Sequence, residues 1–320
     1  MNFINKKTEN NTGLSTDGTN NAGRYYINNG TPNILKTGIP FFKKLNLYHY
    51  LIHVNSLHFL ILIFLSFIVL NMLFAFGYFI VGFQQLSGLS GAEHITKFSD
   101  VFFFSCQTFT TVGYGGIHPI SFWSSALSSL ESLVGLLYFA LITGLIYGRF
   151  SKPRAFIEFT KNIIIAPYNN GIALMVRCAT FSNHVLSNVT ANITLAIKEK
   201  QPGSNKIINR FYNLNLEIDK ISAFILSWTL VHVIDEKSPL FGLNINDLNE
   251  NQFELLVFLN GFDESFSNMV IRRHSFATED LIWGAKFKPM ILPSNNSNKT
   301  ILDFNNLNTY ELAALPTNNM

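Results

Sequence analysis

Charged residues are scarce in this chain, and two long segments almost lack them. Asp, Glu, Lys and Arg make up 13% of its 320 residues, about half the usual share in a soluble protein. Residues 57–81 contain none of the four, and residues 120–147 contain only Glu131. The net charge of +3 is too small to indicate a nucleic-acid partner. These shortages favour a membrane protein over a soluble or nucleic-acid-binding one.

Cysteine and enzyme motifs are scarce as well. Two cysteines, Cys106 and Cys178, are too few for a disulfide framework, so we expect free thiols in a reducing compartment. The sequence contains no HExxH, GxSxG or Walker pattern, so we expect neither an enzyme nor a bound cofactor. Residues 1–38 are rich in Asn, lack the features of a signal peptide and have few large apolar side chains, which predicts a disordered start.

The two charge-poor segments, about 57–81 and 121–148, are predicted to span a membrane. A hydrocarbon core of ~30 Å takes about 20 helical residues, and both segments exceed that length. A buried helix of a soluble core is the alternative, although such helices rarely stay free of charge for so long. Residues 39–154 are therefore predicted to form one membrane domain.

Basic residues lie before the first span and after the second. By the positive-inside rule, this arrangement places both termini in the cytoplasm. From residue 155 the pattern changes to period-two alternation, clearest in 188–198 and in 214–219, with turn residues at 201–205 between them. These short alternating runs predict a cytoplasmic all-β sandwich over residues 155–312, followed by a tail at 313–320.

The segment between the two spans carries the most specific motif of the chain. A short apolar helix, about 99–110 with Ser99 or Asp100 as its cap, is too short to cross the bilayer and is predicted to be re-entrant. It leads into Thr111, Val112, Gly113, Tyr114 and Gly115. This run resembles the selectivity filter of potassium channels, in which backbone carbonyls replace the water around K⁺. A glycine-rich turn of coincidental sequence is the alternative.

The filter resemblance has two implications. Each chain supplies a quarter of every carbonyl ring, so a homotetramer is expected, and K⁺ in the filter is the only metal expected. Glycine allows the alternating backbone handedness that aims successive carbonyls at one axis, which explains Gly113 and Gly115.

Residues 40–312 resemble the prokaryotic inward-rectifier potassium channels of the KirBac type. The similar segments are the pore loop with His118 and Pro119, and residues 133–137, 144–153, 231–241, 280–284 and 309–311. The resemblance implies two transmembrane helices with a re-entrant pore helix, an amphipathic slide helix over 41–53, and a C-terminal immunoglobulin-like β-sandwich. A linker helix is the alternative for 41–53. The resemblance also implies a potassium-selective channel subunit in the bacterial inner membrane.

Two other functions compete with that interpretation. A membrane-anchored, non-conducting sensor with a ligand-binding β domain has the same topology, but it has no need of the filter glycines. A potassium transporter built from four such units is disfavoured, because this chain contains one unit.

Particular residues receive roles only from the resemblance. An inner-helix gate and cavity is implied at Phe139, Thr143 and Tyr147, with lipid-facing packing as the alternative. A constriction called the G-loop is implied at Gly261, Phe262, Glu264 and Ser265, with a solvated turn as the alternative. Contact with anionic lipid headgroups is implied at Arg149, Lys152 and Arg154, which can equally be topology signals alone.

Two departures from these relatives, at Phe139 and Gln107, bear on the pore. Phe139 stands where strongly rectifying animal relatives have an acid, so we expect weak rectification. Gln107 stands where many relatives have a pore-helix glutamate, which removes the usual ion pair behind the filter. Glu131 can compensate if its side chain points behind the filter, because an intramembrane acid is functional by default.

Overall fold

A computed structural model describes residues 14, 17–18, 24–40, 46–90, 94–151, 155–200, 207–250, 253–293 and 299–316. The chain forms two compact units, which are described separately. One unit is Gly38–Lys152, and the other combines Met1–Thr37 with Pro153–Met320.

The helices of the described residues are α1 Leu47–His53, α2 Ser56–Val81, α3 His94–Phe109, α4 Phe122–Phe150 and α5 Ile245–Glu250, with 3₁₀ turns at Phe83–Gln85, Thr278–Asp280 and Phe304–Asn306. The strands are β1 Asp17–Gly18, β2 Leu86–Ser87, β3 His118–Pro119, β4 Ile157–Phe159, β5 Ile163–Tyr168, β6 Gly171–Thr180, β7 Leu186–Lys200, β8 Ile207–Leu214, β9 Lys220–Phe224, β10 Ser227–Val233, β11 Glu254–Asp263, β12 Asn268–Ala277, β13 Leu281–Trp283, β14 Ala285–Phe287, β15 Ile291–Leu292, β16 Ile301–Leu302 and β17 Tyr310–Leu312.

Both predicted spans are single long helices. α2 has 26 residues and α4 has 29, and each is long and apolar enough to cross a membrane. The side chain of Asn55 accepts a hydrogen bond from the Leu57 amide at the start of α2. Ser121 and Ser124 form a reciprocal capping box at the start of α4. The described part of the predicted slide helix is α1, and residues 41–45 lie outside the described residues.

The short helix between the spans begins earlier than the sequence predicted. α3 starts at His94, so Ser99 and Asp100 lie inside it and the expected cap is wrong. The Asp100 carboxylate instead accepts hydrogen bonds from the Ser90 amide at 3.2 Å and hydroxyl at 3.0 Å. Apolar content did not locate this helix start, because polar residues such as Lys97 occupy the first turns.

The second unit contains two sheets that enclose one hydrophobic core. The first sheet has the order β1-β8-β7-β11-β12, with β9 also paired to β7, and the second has the order β10-β6-β5-β13, with β4 paired to β6. The predicted alternation in β7 is confirmed, since Val189, Ala191, Ile193, Leu195 and Ile197 are all buried in that core. The β-rich domain therefore has the two-layer architecture that the alternation indicated.

Two other predictions for this unit are wrong. Residues 215–219 are not a strand, because β8 ends at Leu214 and the following residues cross between layers, where the Asp219 carbonyl accepts from the Ala191 amide at 2.8 Å. Residues 24–33 of the start predicted to be disordered are ordered against the β11–β12 hairpin. The Glu254 carboxylate accepts from the amides of Tyr25 and Tyr26 at 2.9 and 3.1 Å. The contacts of two tyrosines and the bonds to the buried Glu254 carboxylate hold this segment in place, and the composition of residues 1–38 gives no sign of them.

Candidate ion-conduction site

The run 111–115 begins directly at the C-terminal end of α3, and hydrogen bonds join it to the last turn of that helix. The Thr111 amide donates to the Thr108 carbonyl at 3.0 Å. The Gln107 carbonyl accepts from the amides of Val112 at 3.0 Å and Gly113 at 3.4 Å. The last carbonyls of a helix have no partner inside it. These bonds satisfy the carbonyls of Gln107 and Thr108, and they fix the position at which the run leaves α3. The partly negative end of α3 therefore lies beside the first residues of the run.

The backbone of this run alternates in handedness. Positive φ angles occur at every second residue, 58° at Thr111, 53° at Gly113 and 83° at Gly115. Alternation of this kind turns successive carbonyls toward one side, as the filter interpretation requires. The two glycines adopt this region at little cost, whereas a non-glycine residue there costs on the order of 1–3 kcal/mol. Sequence reasoning predicted the unusual backbone at the two glycines but not the positive φ of Thr111, because threonine carries no signal for that conformation.

The side chains of the run are open to the outside of the single chain. Val112 is 53% exposed and Tyr114 is 81% exposed. Within the described part of the chain, no heavy atom apart from those of the glycine and its two chain neighbours lies within 4 Å of a Cβ added at Gly113 or Gly115. Both faces of the run are therefore available to other molecules or copies.

The end of α3 is held closely against α4. A Cβ added at Gly135 would lie 2.0 Å from the Phe109 carbonyl oxygen, so only glycine permits this approach. The Phe109 ring is buried, and it packs edge-on against Phe67 of α2 and Tyr138 of α4, with centroid distances of 5.7 and 5.3 Å. Both long helices therefore locate the helix end from which the run starts. Glu131 is also buried at this junction.

The three residues predicted to line the cavity share one exposed stripe of α4. Phe139, Thr143 and Tyr147 are spaced four residues apart and are all exposed in the single chain, with Tyr147 at 73%. The Thr143 hydroxyl donates to the Phe139 carbonyl at 2.8 Å. The Phe139 ring lies 6.4 Å from that of Phe109, which brings one end of this stripe near the end of α3.

The predicted G-loop residues lie at the tip of the β11–β12 hairpin, in the other unit. Gly261 is at a bulge, where the pairing of β11 with β7 shifts register, and a Cβ there would lie 2.8 Å from the Val189 side chain. Phe262 is half-buried, and the Glu264 carboxylate accepts from the Ser187 hydroxyl. The Ser265 hydroxyl lies 2.9 Å from Nδ1 of His184. Sequence reasoning missed His184 and Ser187, because they lie some 80 residues before the hairpin tip.

Comparisons with known proteins agree with this arrangement. The family model for the inward rectifier potassium channel C-terminal domain matches residues 157–320, and the model described as ion channel matches residues 59–152. The inward rectifier potassium channel Kirbac3.1 of Paramagnetospirillum magnetotacticum is 33% identical over 240 residues, covering 75% of this chain and 79% of its own length.

The chain belongs to the inward rectifier potassium channel family.

Mammalian members of the inward rectifier family match less closely. Inward rectifier potassium channel 4 of Homo sapiens is 26% identical, covering 70% of this chain and 52% of its own length. ATP-sensitive inward rectifier potassium channel 15 of Mus musculus is 28% identical, covering 71% and 64%. The chain thus spans about half to two thirds of these mammalian relatives. With two helices able to cross a bilayer, this member of the family is a membrane protein.

The basic residues near the end of α4 were predicted to contact lipid. Arg149 makes its described contacts inside its own unit. Its guanidinium donates to the Leu51 carbonyl at 2.7 Å and to the Ser56 hydroxyl at 3.3 Å, and lies 4.4 Å from the centre of the Phe59 ring. These contacts join α4 to the end of α1 and the start of α2. Lys152 and Arg154 lie outside the described residues.

Proposed function

We propose that four copies of this inward rectifier family chain form a K⁺-selective pore, in which residues 111–115 of each copy supply a quarter of the filter. The single observation that carries the proposal is the positive φ angle at every second residue, Thr111, Gly113 and Gly115. An ion that sheds its water needs oxygens on one axis, and this backbone alternation supplies carbonyls directed to one side. The Thr111 hydroxyl adds a further oxygen at the inner end of the filter.

The end of α3 supports the same proposal. Its C-terminal carbonyls carry a partial negative charge, and they lie next to the inner end of the run. A cation below the filter is attracted by four such helix ends in a tetramer. The exposed run then faces its three symmetry copies rather than solvent.

We further propose that the exposed stripe of α4 faces the pore below the filter. Four copies of Tyr147 and of Phe139 then form apolar rings that stop ion flow by dewetting when the helices approach. Because Phe139 provides no carboxylate, Mg²⁺ and polyamines bind this cavity weakly, and rectification is weak. Gly261, Phe262, Glu264 and Ser265 form a second constriction in the cytoplasm.

The proposed setting is the bacterial inner membrane, with both termini in the cytoplasm. Arg149, Lys152 and Arg154 then lie at the inner surface, where each basic residue gains about 1 kcal/mol from anionic headgroups. The contacts of Arg149 with Leu51 and Ser56 support a second role for that residue, in joining α1 to the pore domain.

The test is ion flux through the purified protein in liposomes, measured with K⁺ and with Na⁺. We expect K⁺ uptake that exceeds Na⁺ uptake by at least tenfold. Equal uptake of the two ions would contradict the K⁺-selective filter, and no uptake at any anionic lipid content would favour the non-conducting sensor instead.

Two matched variants test the role of the backbone. Gly113→Ala places a side chain at φ 53°, whereas Gly116→Ala has no positive φ and no neighbouring atom within 4 Å in the described chain. We expect Gly113→Ala to abolish selective flux and Gly116→Ala to retain it.

Tyr147→Ala should raise open probability, and internal spermine should block the wild type only weakly. An unchanged open probability contradicts the gate, and steep spermine block contradicts weak rectification.

A further inference from the structure

Glu131 is a fully buried acid in the first half of the membrane-spanning helix α4, and it contacts both neighbouring helices. Its Oε2 accepts a hydrogen bond from the Tyr78 hydroxyl of α2 at 2.7 Å. Its Oε1 accepts a hydrogen bond from the Ser105 hydroxyl of α3. One carboxylate on α4 therefore joins the first span and the short helix that leads into the filter.

The surroundings of Glu131 make these bonds hard to replace. Glu131, Ser105 and Asn71 are each 0% exposed, and Tyr78 is 1% exposed. The Ser105 hydroxyl also lies 3.1 Å from the Asn71 carbonyl oxygen, and the Asn71 amide group donates to the Phe67 carbonyl at 2.8 Å. A buried polar group that loses its partner is costly in an apolar medium. The hydrogen bonds of these buried side chains therefore all form only when α3 lies at this depth between α2 and α4.

The contact of Glu131 with Ser105 has a companion one helical turn further along. Gly135 follows Glu131 by four residues, Phe109 follows Ser105 by four residues, and the Phe109 carbonyl meets Gly135 at close range. Residues four apart lie on one face of a helix. Two contacts on matching faces define the depth of α3 and also its rotation. Thr111, the first residue of the proposed filter, comes two residues after the second contact.

We propose that Glu131 is a positioning residue for the selectivity filter, which it holds in register through Ser105 and the pore helix α3. This inference rests on the proposed function, since it assigns a role within the K⁺-selective pore. Among the described residues, the hydrogen bonds of the Glu131 carboxylate go to Ser105 and Tyr78 rather than to residues 111–115, so its effect on the filter is transmitted through α3.

The experiment compares K⁺-to-Na⁺ flux ratios of purified variants in liposomes. Glu131→Leu keeps a similar bulk but removes the acceptor of the Tyr78 hydroxyl and breaks the bond between α4 and Ser105, whose hydroxyl then has, within the described chain, only the Asn71 oxygens of α2 as acceptors. We expect its flux ratio to fall about tenfold, equivalent to about 1.4 kcal/mol. Glu131→Gln keeps hydrogen-bonding groups toward both hydroxyls, and we expect its ratio to remain within about twofold of the wild type.

Variants of the two donors separate positioning from simple stabilisation. Ser105→Ala removes the hydrogen bond from Glu131 to the pore helix, whereas Tyr78→Phe removes only the bond from Glu131 to the first span. Positioning predicts a lower flux ratio for Ser105→Ala than for Tyr78→Phe at similar thermal stability. Because Ser105 and Glu131 share one bond, the double variant Glu131→Leu/Ser105→Ala should lose less than the two single losses combined. Ser129→Ala is the control, since that hydroxyl bonds to the Ser125 carbonyl of its own helix.

The outcomes distinguish this inference from the proposed function. A wild-type protein without K⁺ preference contradicts the proposed function. A selective wild type whose ratio is unchanged in Glu131→Leu overturns the positioning role. If Glu131→Leu does not form folded channels, Ser105→Ala decides the question, and an unchanged ratio there has the same meaning.

Discussion

Gly135 offers the sharpest test of how α3 is held against α4. In Gly135→Ala, the new Cβ would lie 2.0 Å from the Phe109 carbonyl oxygen and 2.8 Å from its carbonyl carbon, whereas ordinary contact begins at 3.4 Å. The difference, about 1.4 Å, must be taken up by moving the backbone of α3 or α4. Both are regular helices, so the displacement carries to the run 111–115, the proposed filter, which follows Phe109.

The free-energy balance at this position has two opposing parts. Alanine is favoured over glycine inside a helix by about 1 kcal/mol. Overpacking of a close-packed site costs about 1–3 kcal/mol, and here the obstacle is backbone rather than a flexible side chain. We therefore expect the free energy of unfolding of Gly135→Ala to fall by up to about 2 kcal/mol, and its K⁺-to-Na⁺ flux ratio to fall about tenfold or more.

A matched control lies on the other span. In Gly77→Ala the new Cβ lies 3.2 Å from a Leu127 methyl group, which is the flexible end of a side chain. We expect Gly77→Ala to keep the flux ratio and to unfold at the same or a higher temperature than the wild type. Liposome flux and thermal unfolding in detergent measure both quantities. A Gly135→Ala channel with a wild-type flux ratio and undiminished stability would refute the close approach of Phe109.

Three further predictions concern stability and reactivity. Arg149→Ala removes the hydrogen bond to the Leu51 carbonyl and should lower the free energy of unfolding by about 1–2 kcal/mol, measured by thermal unfolding. Burial, with Arg272 and Arg24 nearby, lowers the pKa of His274 to about 4, so the unfolded chain binds more protons between that pKa and about 6.5. The β domain should therefore lose stability, at most about 3 kcal/mol, as pH falls through that window. Burial raises the pKa of the Cys178 thiol, which should react with maleimide only after unfolding.

Each of these predictions has its own control. Arg149→Lys keeps the charge but not the paired donors, so stability equal to the wild type would contradict the joining role. His274→Gln should remove most of the pH dependence, which tryptophan fluorescence can follow through the buried Trp228. Rapid labelling of Cys178 in the native protein would contradict its burial, with the half-buried Cys106 replaced by serine to isolate the signal.

Local patterns in the sequence were enough for the two spans, the β7 strand and the run 111–115. Each depends on neighbours in the chain: absence of charge over a bilayer's width, period-two alternation, or glycine at alternate positions. Elements whose local sequence pattern is weak or misleading were predicted with the wrong bounds or the wrong type. The start of α3 has polar first turns, and residues 215–219 alternate like a strand yet cross between layers, where their hydrogen bonds go to β7 and β10.

Only the tertiary structure decided what holds the end of α3, where the run 111–115 begins, in place. The sequence marked Glu131 as an unusual acid, but its partners Tyr78 and Ser105 lie 53 and 26 residues away. Gly135 is an ordinary helix glycine until Phe109 is found against it. Contacts of this kind depend on how three helices pack, and packing joins residues that no local periodicity relates. The chain's own sequence therefore determined two spans with the run 111–115 between them, and the packing of the helices decided which side chains meet at the end of α3, where that run begins.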